Sequence, residues 1–193
     1  MIDDRVRTVL DRLYADDEQQ RNANLPTSQR TRNLTPDSGR FLMMLAASSN
    51  ARRVVEIGSS NGVSTIWLAA AMRLIAGFVT GTELIPERAA EANANLAEAG
   101  LQTFARVLAG AAGELANELE GPFDLAFIDA EKDDYIAHFE LVWPLMRPRG
   151  IVVADNVISH DVSAYQEMLS TREDCETLTL PLDRGLELTL RLR

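Results

Sequence analysis

Apolar residues occur along this chain in two alternating patterns, short unbroken runs and segments with an apolar residue at every third or fourth position. The unbroken runs are typical of strands buried on both faces of a parallel sheet, and the spaced segments are typical of amphipathic helices. The predicted strands are residues 54–57, 78–83, 104–108, 123–129, 151–155, 177–180 and 186–192. The predicted helices are residues 4–22, 36–46, 63–74, 86–99, 114–119, 134–146 and 161–169, and we expect the one at 134–146 to bend near Pro144.

The order of these elements predicts how they are arranged. Strands and helices alternate regularly up to residue 155, which is typical of a parallel sheet with right-handed crossover connections. Only residues 181–185 separate the last two strands, so these two must be antiparallel neighbours. We therefore predict an α/β fold with a seven-stranded, mostly parallel sheet, an antiparallel C-terminal hairpin and helices on both faces.

Length and composition indicate a single domain. The chain has 193 residues, 46% of them hydrophobic, which is enough for one proper core. We expect residues 1–33 to form an N-terminal helix and a loop, and residues 34–193 to form the core. The helix at 4–22 is amphipathic, and we expect it to dock on the domain or on a second subunit. Met43 and Met44 are expected to fill the core.

Charge, cysteine content and the lack of long apolar runs exclude several function classes. The formal net charge of -10 disfavours a broad nucleic-acid interface. Cys175 is the only cysteine, which excludes a disulfide and a thiolate metal site within one chain, and we expect it to be an ordinary strand residue. There is no signal or transit peptide and no run of about 18 apolar residues. We therefore expect a cytoplasmic protein without a membrane segment.

The first strand ends at a loop with two glycines, where a helix begins. Gly58 and Gly62 give the backbone freedom for a tight turn and for a ligand that lies against the main chain. Their spacing matches neither a nucleoside-triphosphate loop nor a dinucleotide-binding motif, and it is also compatible with a purely structural turn. Glu83 ends the next strand, about 20 residues beyond the loop, where an acid suits the two hydroxyls of a ribose. Together these features indicate a nucleoside-containing ligand with little phosphate.

Three of the predicted strands end in an acidic residue. These residues are Glu83, Asp129 and Asp155, and Asn156 follows the last of them. Ligands bind beyond the carboxyl ends of the strands in an open α/β sheet, and Asp129, Asp155 and Asn156 offer only oxygen donors there. Such a set fits Mg²⁺ or a similar hard cation better than zinc. The alternative is that each acid only caps the helix that follows it.

Lys132 lies three residues after Asp129, in the loop that follows the fourth predicted strand. If this loop turns back towards the cation, the Lys132 amine can act as a general base. The alternative is a solvated surface lysine, and spacing alone does not separate the two.

Several motifs together define a family resemblance. They are LTPDSG at 34–39, EIGSSNGVS at 56–64, TE at 82–83, FIDAEK at 127–132 and ADNV at 154–157. With these motifs the chain resembles the cation-dependent class I O-methyltransferases that use S-adenosylmethionine, the group of catechol and caffeoyl-CoA O-methyltransferases. The resemblance extends from about residue 34 to residue 193. Many methyltransferases share the glycine motif, whereas Asp129-x-x-Lys132 followed by Asp155-Asn156 belongs to the metal-dependent branch.

The resemblance implies a Rossmann-like class I methyltransferase fold and a way of binding S-adenosylmethionine. The implied cofactor-binding residues are Leu34, Glu56, Gly58, Ser60, Ser64, Glu83, Ala111, Ala112 and Asp129. Within this set Glu83 binds the ribose, Ala111 and Ala112 flank the adenine, and the glycine loop holds the methionine part.

The same resemblance implies a cation-assisted reaction. Asp129, Asp155 and Asn156 would bind Mg²⁺, or alternatively Mn²⁺ or Ca²⁺, together with two neighbouring oxygens of the acceptor. Lys132 and Asp129 are the implied catalytic residues. Lys132 would take the proton of one acceptor hydroxyl, and the resulting oxyanion would attack the methyl group.

Three departures from the family pattern concern the acceptor. The segment after Asn156 is short, Arg184 stands where an acidic or small residue is more usual, and the region before Leu34 is short and polar. They indicate an open site, or one that is completed in a homodimer. His160 is a candidate for the mouth of the site, whereas we expect His138 on a helix surface.

We therefore expect an O-methyltransferase for a small catechol-like or other vicinal-oxygen acceptor. One alternative is a methyltransferase for a hydroxylated wobble uridine of transfer RNA. A basic patch beside the site would favour it, formed by Arg5, Arg7, Arg21, Arg30 and Arg32, whereas the net charge of -10 disfavours it. A second alternative is a cofactor-binding module without acceptor turnover, which the intact metal-site residues disfavour.

Overall fold

Strands and helices alternate through most of the chain in the computed structural model, which describes residues 2–26 and 29–193. The strands are β1 (Arg53–Ile57), β2 (Phe78–Glu83), β3 (Ala105–Ala109), β4 (Phe123–Ile128), β5 (Met146–Asp155), β6 (Cys175–Leu180) and β7 (Leu186–Arg191). The α-helices are α1 (Asp4–Asn22), α2 (Pro36–Ser48), α3 (Val63–Ile75), α4 (Pro86–Glu98), α5 (Tyr135–Val142) and α6 (Ser163–Ser170). Short 3₁₀ turns lie at Ala116–Glu118, Lys132–Asp134 and Trp143–Leu145.

The seven strands form one sheet in the order β3-β2-β1-β4-β5-β7-β6. The first five are parallel, and β7 is antiparallel to both of its neighbours, so the predicted fold class is confirmed. Strand β1 lies at the centre, where Ile57 is level with Thr82 of β2 and with Ile128 of β4. The chain order reverses beside β1, which makes the carboxyl ends of β1 and β4 the expected place for a ligand.

Each face of the sheet carries its own apolar core. Val54, Leu125 and Phe127 pack with helices α1 to α4 on one face. Val55 and Ala126 pack with α5 and α6 on the other. Successive strand residues point to opposite faces, so a strand covered on both sides must be apolar at nearly every position. This requirement explains the unbroken apolar runs of the sequence.

Two local predictions were wrong. The helix predicted at 134–146 ends at Val142 and continues as a 3₁₀ turn, because Pro144 has no N–H to extend an α-helix, and β5 already begins at Met146. Met44 does not fill the core. It is 63% exposed, whereas Met43 is 6% exposed, because adjacent helical residues lie about 100° apart around the axis.

Helix α1 docks on its own chain. Its apolar residues are buried against α3 and α4, and Arg12 forms an ion pair with Glu98 at 2.7 Å. A second subunit is therefore not needed to cover this face, and a homodimer stays a prediction. The predicted loop after α1 includes Thr27 and Ser28, which lie outside the described residues. Within the described ranges, none of the helices is long and apolar enough to cross a membrane.

Candidate active site

A cavity of about 440 Å³ lies beyond the carboxyl ends of the central strands. Its size falls within the range of about 300–1,000 Å³ that is usual for small-molecule sites. The predicted site residues on its wall are Leu34, Gly58, Ser60, Ser64, Glu83, Ala111, Ala112, Asp129, Lys132 and Asn156. The structure therefore brings most of the predicted cofactor and acceptor residues to one place. The described lining does not include Glu56 and Asp155, which are buried behind it.

The glycine loop lies directly against the backbone of two neighbouring strands. The amides of Gly58 and Ser59 both donate to the Thr82 carbonyl at the end of β2, each at 3.0 Å. Gly58 has a φ of +89°, and a Cβ there would come within 2.3 Å of the Asp129 carbonyl oxygen. Gly62, with a φ of +90°, begins α3. Only glycine fits at position 58, since any side chain would push the loop away from Asp129.

Glu83 presents a carboxylate that two backbone amides hold in place. Its Oε2 accepts a hydrogen bond from the Ser60 amide at 2.8 Å, and its Oε1 accepts one from the Ile85 amide at 3.0 Å. A carboxylate has about four acceptor positions, so two remain for ligand donors. The arrangement fits the paired hydroxyls of a ribose, as expected from the sequence.

Glu56 supports the glycine loop from behind. It is 0% exposed, and its Oε2 accepts hydrogen bonds from the Ser59 hydroxyl at 2.6 Å and from the Thr65 hydroxyl. Burial raises the pKa of this carboxyl, while the hydroxyl donors act in the opposite direction. Its Oε1 has no hydrogen-bond partner among the described residues. Glu56 thus connects the glycine loop to α3. It does not line the cavity itself and acts on it through Ser59 and Thr65.

Residues 30–33 form a wall of the cavity that was not predicted from the sequence. The Ser60 hydroxyl donates to the Thr31 carbonyl at 3.1 Å, and the side-chain amide of Asn33 donates to the Leu13 backbone carbonyl at 3.1 Å. Arg32 adds an ion pair with Glu131 at 2.8 Å, which joins this wall to the loop after β4. The segment is polar and has no periodicity, so nothing in its sequence indicates these contacts.

The predicted cation ligands meet where β4 and β5 end. Asp129 and Asn156 line the cavity, and Asp155, which is 2% exposed, accepts a hydrogen bond from the Asn156 amide at 2.7 Å. Burial raises the pKa of Asp155, and the nearby charge of Asp129 raises it further. Two neighbouring carboxylates with an amide oxygen beside them fit a hard divalent cation, whose positive charge would offset the negative charge at Asp155.

Lys132 points back into the site and is not a solvated surface lysine. Its side chain is 15% exposed, and its Nζ donates to Asp129 Oδ1 at 3.2 Å and to the Tyr135 hydroxyl at 2.6 Å. Tyr135 in turn donates to the Asp155 carbonyl at 2.8 Å. Of the 19 lysine and arginine residues in the chain, Lys132 is the only lysine. An arginine cannot lose its proton in a protein, so this is the one basic side chain of that set able to act as a base.

Tyr135 is a site residue that the sequence analysis missed. It is buried and lies three residues after Lys132, with the Lys132 Nζ 4.6 Å from the centre of its ring. A tyrosine at this spacing from a candidate base was the available signal, since residues three apart on a helical turn face each other.

Two histidines and Arg184, which the sequence already singled out, also line the cavity. His160 is exposed and its Nδ1 lies 2.9 Å from the Ser159 hydroxyl. His138 was expected on a helix surface, but it lines the cavity. Burial lowers the pKa of His138, which favours the neutral imidazole. Arg184 also lines the cavity, so three basic side chains meet there.

The five arginines proposed for a nucleic-acid patch do not lie together. Arg21, Arg30 and Arg32 line the cavity. Arg5 donates to the carbonyls of Ala97 and Glu98, at the far end of α1. Sixteen residues of helix separate it from Arg21, which corresponds to about 24 Å. The observation that would favour transfer RNA as the acceptor is therefore missing from the described structure.

The chain is similar to known methyltransferases. Residues 55–157 match a family model described as a methyltransferase domain. The chain is 39% identical over 129 residues to the catechol O-methyltransferase of Niastella koreensis and 40% identical over 126 residues to that of Mycobacterium tuberculosis. Each alignment covers 65% of this chain, but only 58% and 57% of the two relatives, so less than two thirds of their length is matched.

A solved structure is similar over nearly the whole fold. It is the O-methyltransferase TomG of Streptomyces achromogenes, involved in tomaymycin synthesis, in complex with S-adenosylmethionine. The two chains are 29% identical, with a TM-score of 0.81. The similarity covers 94% of this chain and 89% of TomG.

Proposed function

We propose that this chain, which belongs to the methyltransferase-domain family, transfers a methyl group from S-adenosylmethionine to one hydroxyl of a small vicinal-oxygen acceptor with the help of a divalent cation. One observation carries the proposal. Lys132, Asp129 and Asn156 lie on the wall of the same cavity as the glycine loop and Glu83. A base and a hard-cation site therefore face the place where the methyl donor would bind.

In this proposal the cofactor is bound by groups that already have fixed positions. The implied set remains Leu34, Glu56, Gly58, Ser60, Ser64, Glu83, Ala111, Ala112 and Asp129. Glu83 accepts the ribose hydroxyls, and its two backbone hydrogen bonds keep it oriented. Glu56 acts through Ser59 and Thr65, whose hydroxyls it holds. The free N–H groups at the start of α3 support the carboxylate end of the methionine part.

Asp129, Asp155 and Asn156 would hold the cation, and Mg²⁺ is the ion that we expect. Their donors are all oxygen, and the raised pKa of Asp155 means that a bound cation would compete with a proton for this carboxylate. When bound, the cation supplies positive charge that lowers the pKa of the acceptor hydroxyl, and S-adenosylmethionine supplies an electrophilic methyl group.

The side chains of this protein then have three tasks. Lys132 Nζ takes the proton that leaves the acceptor hydroxyl. Tyr135 holds that amine through the 2.6 Å hydrogen bond and is itself held by the Asp155 carbonyl. The glycine loop and Glu83 keep the donor in line while its carbon–sulfur bond breaks and the new oxygen–carbon bond forms.

A comparison of acceptors tests the proposed function. Methyl transfer from S-adenosylmethionine is measured with 1,2-dihydroxybenzene and with phenol, before and after chelation and after Mg²⁺ is restored. We expect turnover of the diol only, lost with the chelator and regained with Mg²⁺. Turnover that resists the chelator would refute cation assistance. Cofactor binding without turnover of any diol would favour the binding-module alternative.

Lys132→Arg sharpens this test because it keeps the positive charge but removes the ability to accept a proton. We expect cofactor affinity to stay within about threefold of wild type while kcat falls by about 10²- to 10⁴-fold, the usual contribution of a general base. Kinetics and calorimetry provide the two readouts. A fully active Lys132→Arg variant would refute the role of Lys132 as the base.

A further inference from the structure

Arg184 lies immediately before β7, next to the proposed cation ligands. Strand β7 is antiparallel to β5, and the Arg184 carbonyl accepts hydrogen bonds from the amides of Ile158 at 2.9 Å and Ser159 at 3.1 Å. These bonds hold the backbone of Arg184 against the short segment that follows Asn156. The side chains of Arg184 and Asn156 line the same cavity.

The arginines that line the cavity differ in their partners. Arg21 and Arg32 each form an ion pair with a carboxylate, at 2.6 and 2.8 Å. Arg30 and Arg88 also interact with other residues. Arg184 is of intermediate exposure as a residue, and its side chain has no hydrogen bond or ion pair with another described residue. A cation that is partly removed from water without a counter-charge is stabilised by an anionic ligand.

The lining of the cavity holds both acidic and basic residues, in a chain with a formal charge of -10. An arginine there without an ion pair is therefore a local exception. Under the proposed function, Asp129 and Asp155 are occupied by the cation and cannot neutralise Arg184. A guanidinium without a counter-charge attracts and orients an anionic compound.

We propose, on the basis of the proposed function, that the acceptor is a catechol-type compound with a carboxylate substituent and that Arg184 binds this carboxylate. The planar guanidinium can donate two parallel hydrogen bonds to a carboxylate, which fixes orientation as well as charge. Arg184 then determines specificity, while the two hydroxyls of the acceptor face the cation site and Lys132.

The test compares two acceptors of nearly equal size, 3,4-dihydroxybenzoate and its neutral amide, 3,4-dihydroxybenzamide. For wild type, Arg184→Gln, Arg184→Lys and Arg184→Glu, kcat/KM is measured for both, and dissociation constants are measured with S-adenosylhomocysteine and Mg²⁺ present. Arg52→Gln is the matched control, since Arg52 is exposed and precedes β1 at the opposite end of the sheet. Binding is measured as well as turnover, so that the carboxylate-binding role of Arg184 and the proposed reaction can be refuted separately.

We expect wild type and Arg52→Gln to prefer the acid over the amide by roughly tenfold, as for one charge-assisted pair. Arg184→Gln should bring this ratio to about one by weakening only the acid, and Arg184→Lys should keep part of it. Arg184→Glu should reverse the preference, so that the neutral amide is used better than the acid.

Other outcomes separate the two proposals. Turnover of both compounds by wild type without a preference would overturn the role of Arg184 and leave the proposed function standing. An equal loss of kcat/KM for the acid and the amide in Arg184→Gln would also overturn the role of Arg184 in binding the carboxylate. The guanidinium would then act on the reacting oxygens or on the fold. A tenfold binding preference without any turnover would support the carboxylate site and refute the proposed reaction.

Discussion

The two halves of the cavity differ in how their polar groups are satisfied. We call the glycine loop with Glu83 and Glu56 the cofactor half, and Asp129, Lys132, Asp155, Asn156 and Arg184 the acceptor half. Glu83 is held by two backbone amides and Glu56 by two hydroxyls before any ligand binds. In the acceptor half the charge of Asp129 adds to burial in raising the pKa of Asp155, and the Arg184 side chain has no described partner. Under the proposed function, the protein itself holds the two carboxylates of the cofactor half in place, whereas ligands would complete the acceptor half.

Among the predicted changes, Asp155→Asn should cause the largest loss of activity. This loss should arise in the acceptor half only. We expect kcat/KM for a catechol to fall about a thousand-fold, since the cation loses an anionic ligand whose contribution is several kcal/mol. The dissociation constant of S-adenosylmethionine should stay within about threefold, as measured by calorimetry. The melting temperature without cation should not fall, because burial of the charged form is costly at this position. Asp133→Asn, an exposed acid beside Lys132, serves as the control.

Glu83→Gln should have the complementary effect on the cofactor half. The loss of charge weakens hydrogen bonds to the ribose hydroxyls, and we expect the dissociation constant of S-adenosylmethionine to rise by about ten- to a hundred-fold. At saturating cofactor, kcat should change by less than about threefold. Glu91→Gln, on the exposed side of α4, is the matched control. A loss of kcat as large as the loss of affinity would show that the two halves are not separable.

Tyr135→Phe should lower kcat by roughly tenfold without changing either binding constant. The substitution removes the 2.6 Å hydrogen bond to Lys132 Nζ but keeps the ring, so the amine loses its orientation. Steady-state kinetics distinguishes this from a general loss of structure, which would also raise KM. Tyr165→Phe is the control, because Tyr165 contacts the Tyr135 ring edge-on at 5.7 Å and is equally buried. A similar decrease in both variants would contradict a positioning role for Tyr135.

Glu56→Gln should have the smallest effect and should appear in stability. Burial raises the folded-state pKa of Glu56 above the ordinary 4.5, so its favourable contribution is present at low pH and is lost as the pH rises through the folded pKa. The Glu56→Gln variant has no charge at this position and avoids this loss. As the pH increases, its unfolding free energy should therefore rise relative to that of wild type, by at most about 1.4 kcal/mol per pH unit. Urea unfolding between pH 5 and 8 measures the difference. A constant difference across this range would mean that Glu56 does not change its protonation.

The cofactor half was easier to predict from the sequence than the acceptor half. The strand, the glycine loop and the start of α3 are contiguous at 54–64, and local apolar and glycine patterns specify them. The parallel direction of the first five strands followed from regular alternation, and the hairpin followed from its short connection. By contrast, Tyr135 reaches Lys132 and Asp155 through packing of α5, and Arg184 reaches the cavity through the register of β7 with β5.

The other incorrect or missing predictions concerned an irregular segment and the boundaries of two elements. Residues 30–33 have no periodicity, so their contacts across the cavity could not be predicted. The end of α5 at Val142 follows from Pro144, which is visible in the sequence, whereas the early start of β5 depends on the pairing of Met146 with Phe123 of β4. The contacts of residues 30–33 and the start of β5 concern residues that are distant in sequence, which a single sequence does not display.

The close approach of Gly58 to Asp129 has a consequence for how acceptor specificity can change. The Asp129 amide donates to the Ile57 carbonyl at 2.9 Å, so the two halves meet through backbone atoms of adjacent strands. Adjacent strands are about 4.8 Å apart whatever side chains they carry. The spacing of the backbone at which the two halves meet is therefore set by the sheet. Under the proposed function, substitutions of lining residues such as Arg184 would alter which compounds are accepted and would leave this backbone spacing unchanged.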